Sequence, residues 1–281
     1  MLKKIKNIIS TTDRFLYKKF GSNKSLKLLE NIKEAKEIFS YLNISGEESK
    51  VRFVGGCVRK ALRGEVIDDI DLATSLEPDE VRKKLINKNI RVIDVGLSHG
   101  TVAAILNNRK FEITTLRKDV STDGRHADVE FMQDWELDAS RRDFTINAIY
   151  ADIEGRIFDP LNGVSDLKKG IIKFIGSPEE RIQEDYLRIL RYFRFFIEYS
   201  EFNNNQDIIK AIKKNINGLN KISNERIFDE LKKILILQNL QNLFTNEISN
   251  QIIINIFPQL KYYERLKIVT SYIRAMSSID L

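Results

Sequence analysis

One cysteine, two histidines, four prolines and one tryptophan are all that 281 residues hold of these types, and each scarcity excludes something. Cys57 alone cannot close an internal disulfide, which suits a reducing compartment, and a cytoplasmic location is expected. His99 and His126 are neither paired nor followed by aspartate, so histidine-centred metal chemistry and an appended His-Asp phosphohydrolase domain find no support. No run of about 18 apolar residues occurs, so no membrane-spanning helix and no membrane partner are expected. Residues 1–20 lack the apolar core and small-residue cleavage site of a secretory signal. Leu2, Ile5, Ile8, Ile9, Phe15 and Leu16 among lysines predict a basic amphipathic surface helix there. No proline falls between Pro178 and Pro258, and Leu, Ile, Lys and Asn recur at helical spacing, so the second half is expected to be helical.

What is present is a 42% hydrophobic content, enough for real cores, and a net charge of +6 that favours a polyanionic partner. Apolar spacing predicts one helix over residues 24–42. Val51-Arg52-Phe53-Val54 reads as a strand stopped by Gly55-Gly56, and a short helix follows, ended by Gly64. A strand over 66–72, a helix opened by Pro78 and a strand over 90–95 come next. Asn107-Asn108 joins a hairpin of 101–106 and 109–116, because asparagine accepts the positive φ of a tight turn. A second hairpin is expected around Glu154-Gly155. Asp159-Pro160-Leu161-Asn162-Gly163 is a turn and a plausible hinge. Residues 178–199 are predicted to be a single helix. Strands mixed with helices, then helices alone, indicate an α+β fold with a small mixed sheet followed by an all-helical part.

Alternation along a strand points Asp69 and Asp71 the same way while Ile70 and Leu72 face the core, and two parallel carboxylates make a natural Mg²⁺ site. Glu112, flanked by Phe111 and Ile113, can bring a third carboxylate; with no basic neighbour in view, divalent cations would relieve the repulsion. Taken alone, the same residues also suit a solvated acidic turn. Gly55-Gly56 lets backbone N–H groups approach phosphate at a helix start, with Arg59 one turn on. Arg142 has a donor fork suited to phosphate or a ribose-bearing nucleotide, although for this segment taken alone an Arg-Asp ion pair before a core strand is the simpler reading. On the predicted helix, Asp185 and Arg188 are three residues apart and would touch. They form either a surface salt bridge or a hydrogen-bond edge able to read the amino group and ring nitrogen of cytosine or adenine.

Gly55-Gly56-Cys57-Val58-Arg59, Asp69-Ile70-Asp71, Arg141-Arg142-Asp143-Phe144-Thr145-Ile146-Asn147-Ala148, Asp159-Pro160 with Gly163 and Asp166-Leu167, and Glu184-Asp185-Tyr186-Leu187-Arg188 together resemble the class II tRNA nucleotidyltransferases, the CCA-adding enzymes related to bacterial poly(A) polymerase. The resemblance runs over residues 51–231. It implies a polymerase-β-like nucleotidyltransferase head at 51–172, after an N-terminal extension at 1–50. A helical neck at 173–240 and a partial helical body at 241–281 would follow. It further implies that Asp69 and Asp71 hold Mg²⁺, with Glu112 catalytic beside them. Gly56 and Arg59 would hold triphosphate, Arg142 the nucleotide and Asp143 its ribose, while Asp185 and Arg188 read the base and Arg191 and Arg194 add positive charge. Lys60 departs from the aspartate usual there. Ile222-Ser223-Asn224-Glu225-Arg226-Ile227 resembles the helix that supports the site, with Ser223 as N-cap.

His99-Gly100-Thr101-Val102 resembles the tRNA enzymes rather than the poly(A) polymerases, and Arg117 to Asp128 resembles the flexible loop of complete CCA-adding enzymes. The expected substrates are tRNA, CTP and ATP, with no obligate protein partner. The alternatives are addition of A or CC only, poly(A) synthesis, or a catalytically silent RNA-binding protein on the same fold.

Overall fold

The computed structural model describes residues 26–43, 49–96, 100–122, 127–200, 205–237, 239–240, 244 and 247–262. The expectations for residues 1–20, His99 and Asp123-Gly124-Arg125 lie outside them. The chain divides into two compact units, Met1–Asp185 and Tyr186–Leu281.

The described residues of the first unit open with two helices where one was expected, α1 (Lys27–Glu30) and α2 (Lys33–Leu42), separated at Ile32, whose ψ is 101°. The break has a geometric cause. Leu26, Leu29, Ile32, Ala35 and Ile38 are all buried, yet a three-residue spacing drifts by about 60° per step around a helix of 100° per residue. Interrupting the helix resets the phase and keeps these side chains on the core side.

The seven-stranded sheet runs β3-β4-β5-β2-β1-β8-β9. Its members are β1 (Val51–Val54), β2 (Ile70–Thr74), β3 (Arg91–Gly96), β4 (Thr101–Leu106), β5 (Arg109–Thr115), β8 (Tyr150–Ala151) and β9 (Ile157–Phe158). Only β2 and β5 pair in parallel among the described strands, in the register Ile70↔Phe111, Asp71↔Glu112, Leu72↔Ile113. β2 starts at Ile70 rather than at residue 66, because Val66 is 80% exposed and has no core to enter. Asn107 and Asn108 turn the β4–β5 hairpin with φ of 50° and 61°, as their side chains allow. Helix α3 (Gly56–Arg63) packs on β1 and β2 and ends at left-handed Gly64. Helix α4 (Pro78–Ile86) covers β3 and β4.

Where a flexible loop was expected, β6 (Arg117–Thr122) and β7 (Ala127–Phe131) form a separate two-stranded antiparallel sheet. Helix α5 (Trp135–Arg141) follows, capped by the Asp134 carboxylate, which accepts from the Glu136 and Leu137 amides. Helix α6 (Gly163–Lys168) is started by Asp159, which accepts from the Gly163 and Val164 amides at 2.7 and 2.9 Å. Helix α7 (Pro178–Glu184) stops at Asp185, whose φ and ψ of −153° and 105° are extended. The single helix predicted over 178–199 is therefore two elements, and the three-residue spacing of Asp185 and Arg188 is not a helical one.

The second unit carries α8 (Arg188–Tyr199), α9 (Gln206–Asn215), α10 (Asn224–Leu235) and α11 (Glu247–Ile256). Ile189, Leu190, Phe193, Phe196 and Ile197 of α8 are buried, and α8 packs on α10. Ser223 occupies the N-cap of α10 without a capping side-chain bond.

Gly163 packs so closely on the turn Thr145–Asn147 that an added Cβ would lie 2.1 Å from the Thr145 carbonyl oxygen. Gly163→Ala is expected to lower stability by about 1–3 kcal/mol, since backbone must shift to admit the methyl. Chemical unfolding of the variant checks this, and an unchanged midpoint would contradict the tight approach.

Candidate active site

The strand–turn–helix β1–α3 builds one wall of the site. Gly55 takes φ 68° and ψ −118° as the N-cap of α3, a conformation that glycine tolerates, and its amide donates to the Ile149 carbonyl at 3.2 Å. A Cβ on Gly56 would meet nothing within 4 Å, so open space adjoins the helix start. Cys57 is buried beneath, its thiol directed at the Val54 and Asp71 carbonyls at 3.3 and 3.5 Å. Burial and then Asp71 push that thiol up to about 11, so it stays protonated.

Across β2, Asp69 and Asp71 line a cavity of about 180 Å³ together with Ile70, Lys110 and Glu112. Burial first, then Glu112, push the Asp71 carboxyl up to about 6; Asp69 adds to this, and Arg142 and Arg59 pull the other way. A carboxylate so disfavoured as an anion gains most from a cation beside it. Among the described residues no group of three or more His, Cys, Asp or Glu side chains is placed to hold a metal ion. Two carboxylates nonetheless suit Mg²⁺, which is commonly held by one or two carboxylates plus substrate phosphates. Glu112 is beside Asp71 as the strand pattern suggests, but contrary to the expectation of a cluster without basic neighbours, Lys110 Nζ is 2.5 Å from Glu112 Oε1.

The arginines and Asp143 sit in a network that only the fold creates. Arg59 is buried and donates to the Asn147 side-chain oxygen, and the Asn147 amide donates to Asp143 at 2.8 Å. Arg142 donates to Asp138 at 3.0 Å, to the Tyr150 hydroxyl at 3.0 Å and to the Asn147 carbonyl at 3.5 Å. Its Nη1 lies 3.8 Å from where a Gly55 Cβ would be, so this guanidinium stands over the glycine turn. Arg141 and Tyr150 also hold Asp138, at 2.9 and 2.7 Å. Arg181 of α7 donates to the Arg141 and Arg142 carbonyls and pairs with Glu184 at 2.7 Å.

Asp138, Asn147, Tyr150, Lys110 and Arg181 thus join the site residues expected from the sequence. The helical spacings of Asp138 to Arg141 and Arg142 are visible in sequence; the Tyr150 and Arg181 contacts are not. In the second unit, Arg194 is paired with buried Glu230 at 2.6 Å and lies over the Phe195 ring, and Arg191 is also directed at Phe195. Asp185 ends the first unit and Arg188 opens the first helix of the second.

A mixed sheet with a glycine turn on one strand and carboxylates on the next has the architecture of a nucleotidyltransferase head. Residues 51–173 match the family model of the poly(A) polymerase head domain, and residues 201–264 match the probable RNA and SrmB-binding site of polymerase A. The human mitochondrial CCA tRNA nucleotidyltransferase 1 is 45% identical over 76% of this chain and 49% of its own length. The CCA-adding enzyme of Ligilactobacillus salivarius is 42% identical over 77% of this chain and 50% of its own. The crystal structure of the Bacillus stearothermophilus CCA-adding enzyme in complex with CTP is similar with a TM-score of 0.64 at 36% identity, over 75% of this chain and 49% of that one. The chain belongs to the class II tRNA nucleotidyltransferase and poly(A) polymerase family. It spans about half the length of the curated relatives it matches. Enzymes of this family are generally metal-dependent.

Burial alone would raise the Asp138 carboxyl, but Arg142, Arg141 and the Tyr150 hydroxyl hold it down at about 2, against an ordinary value of 3.8. Because the folded value lies below the unfolded one, this stabilisation is present above pH 4 and is lost as pH falls from about 4 through about 2, removing about 2 kcal/mol. Urea midpoints measured across that range should show the loss, and Asp138→Asn should remove its pH dependence. Equal acid sensitivity in both proteins would assign it elsewhere.

Proposed function

We propose that this chain adds C, C and A to the 3′ end of tRNA from CTP and ATP without a nucleic-acid template. The observation that carries the reading is the placement of Asp69 and Asp71 around one cavity on β2, beside a β1 glycine turn over which Arg142 stands. The relatives' names and the CTP-bound neighbour support it. The tRNA 3′-hydroxyl oxygen would bond to the α-phosphorus of the nucleotide as pyrophosphate leaves.

In this reading the open side of Gly56 and the α3 amides receive the triphosphate, with Arg59 and Arg142 supplying fixed positive charge beside the glycine turn. Asp143, already oriented by Asn147, takes the ribose. Asp69 and Asp71 hold Mg²⁺, which when bound would screen the triphosphate and polarise the α-phosphate. Asp185 and Arg188 read the base, Asp185 as acceptor for the exocyclic amino group and Arg188 as donor to the ring nitrogen. Motif position supports this pair, as it does Arg191 and Arg194 as added charge; Arg194 must then act while bound to Glu230. We read 51–172 as the head, 173–240 as the neck and 241–281 as part of the body. The lone, buried cysteine supports a reducing compartment such as the cytoplasm, although the human relative carries a mitochondrial name.

Incubating the protein with tRNA ending before CCA, Mg²⁺, and CTP, ATP or both tests the reading. C, C and A should be added with both nucleotides. Addition of A alone, of CC alone or of long A tails would select the narrower alternatives. Asp71→Ala should abolish addition of C and A alike while the circular dichroism spectrum stays native, and a near-normal rate in that variant would remove the central claim.

Base choice has its own test. Asp185→Ala should relax discrimination against UTP and GTP by roughly 1–3 kcal/mol, since the acceptor for the amino groups of C and A is gone. A merely structural ion pair would change stability by about 0.2–1 kcal/mol and leave selectivity intact, so competition among all four nucleotides separates the two.

A further inference from the structure

We infer that Lys110 is a built-in competitor of the catalytic cation: its ammonium offsets part of the negative charge of the carboxylate cluster in the free protein and weakens the affinity for a divalent ion that arrives without nucleotide. The inference rests on the reading of Asp69 and Asp71 as metal ligands. Its own ground is the strand register. Because β2 and β5 run parallel with Ile70 beside Phe111 and Asp71 beside Glu112, Asp69 and Lys110 are the next residues out at the same end of the pair. Lys110 and Glu112 are on one face of β5, and both line the cavity that Asp69 and Asp71 line.

The Lys110–Glu112 contact is a hydrogen-bonded ion pair at 2.5 Å between residues two apart on one strand. The Glu112 bond, then the fields of Glu112, Asp69 and Asp71, favour the charged ammonium, so the lysine acts as a fixed cation at any physiological pH. Two consequences follow. Glu112 is engaged by Lys110, which leaves the Asp69 and Asp71 carboxylates as the metal pair. A divalent ion entering alone meets a positive charge a few ångströms away, whereas an ion carried by a triphosphate brings its own compensating anion. The free protein should then bind metal weakly and metal–nucleotide well.

The test is titration of Mn²⁺ into the full chain without nucleotide, with free Mn²⁺ read by electron paramagnetic resonance. Repulsion between a doubly charged and a singly charged cation about 5 Å apart in a water-like medium predicts that Lys110→Met tightens Mn²⁺ binding roughly tenfold, while Lys110→Arg leaves it weak. The Lys110 and Glu112 side chains are 53% and 42% exposed, so neither is a core residue and the variants should fold. Lys110→Met/Glu112→Gln should keep only part of the gain, because the released carboxylate is absent. Affinity that is unchanged or weaker in Lys110→Met overturns the inference. Asp71→Asn separates the two levels of the argument. If Asp71→Asn abolishes Mn²⁺ binding but Lys110→Met does not tighten it, the role of Lys110 alone is wrong. If Asp71→Asn binds Mn²⁺ undiminished, the metal-site reading fails and this inference fails with it.

Discussion

A buried carboxylate, Asp138, holds the first unit's chemistry in place. Removing a charge from water costs several kcal/mol, and attraction repays that only when partners meet it in good geometry. Here the partners are Arg141 and Arg142 on its own chain segment and the Tyr150 hydroxyl from β8. All of α5, the turn Thr145–Asn147 and β8 must be in register for the charge to be satisfied. A one-residue slip in β8 would turn Tyr150 to the other face and leave a carboxylate and a guanidinium unmatched. The interaction therefore selects one arrangement as well as stabilising it above pH 4, and it leaves Arg142 aimed over the glycine turn.

Around that anchor the site places carboxylates and guanidinium groups within reach of one another, Arg142 and Arg59 acting on Asp71 from the glycine-turn side. Asp69, Asp71 and Glu112 line one cavity at the start of β2, while Arg59 and Arg142 meet at Asn147, with Arg142 over the β1 glycine turn. A ligand that is both strongly anionic and cation-bound fits such a surface, since its phosphates meet the guanidinium groups and its cation the carboxylates. A small neutral metabolite would gain little from either. Preorganisation is what makes the charge useful: the Arg142 guanidinium and the Asp143 carboxylate are already held by protein partners, so little reordering accompanies ligand entry.

Much of this was legible in the sequence where the signal is local. Asn107-Asn108 specified a hairpin through backbone tolerance, Gly64 ended a helix through its left-handed turn, and alternation put Asp71 opposite the buried Ile70 and Leu72. Other features depend on neighbours far along the chain. The break at Asp185 was invisible because Gln183-Glu184-Asp185-Tyr186 contains neither glycine nor proline, so no local residue forbids a helix there. Arg194 looked like free positive charge until α10 supplied Glu230, 36 positions away. Lys110 could have been found, since it alternates with Glu112, but its weight depends on the parallel pairing of β2 and β5, and pairing is not a local property. The Arg117–Asp128 segment read as a loop because its β6–β7 pairing has no hydrophobic stripe to announce it.

The break at Asp185 changes what positions the two halves of the Glu184-Asp185-Tyr186-Leu187-Arg188 motif. On one continuous helix their spacing would be set by the helical repeat. With Asp185 extended, each half depends on its own surroundings. Upstream, Arg181 ties the last turn of α7 to the carbonyls of Arg141 and Arg142 and grips Glu184, which fixes the backbone entering Asp185. Downstream, the Tyr186 ring lies so close to Gly218 that an added Cβ would sit 2.1 Å from it, so only glycine lets the chain enter α8 along that line. A motif that reads as one unit in sequence is thus held by two separate anchors, one a guanidinium on backbone carbonyls and the other an aromatic ring on bare backbone. Neither anchor is part of the motif's own side-chain chemistry, and so the motif's residues alone do not determine how it is presented.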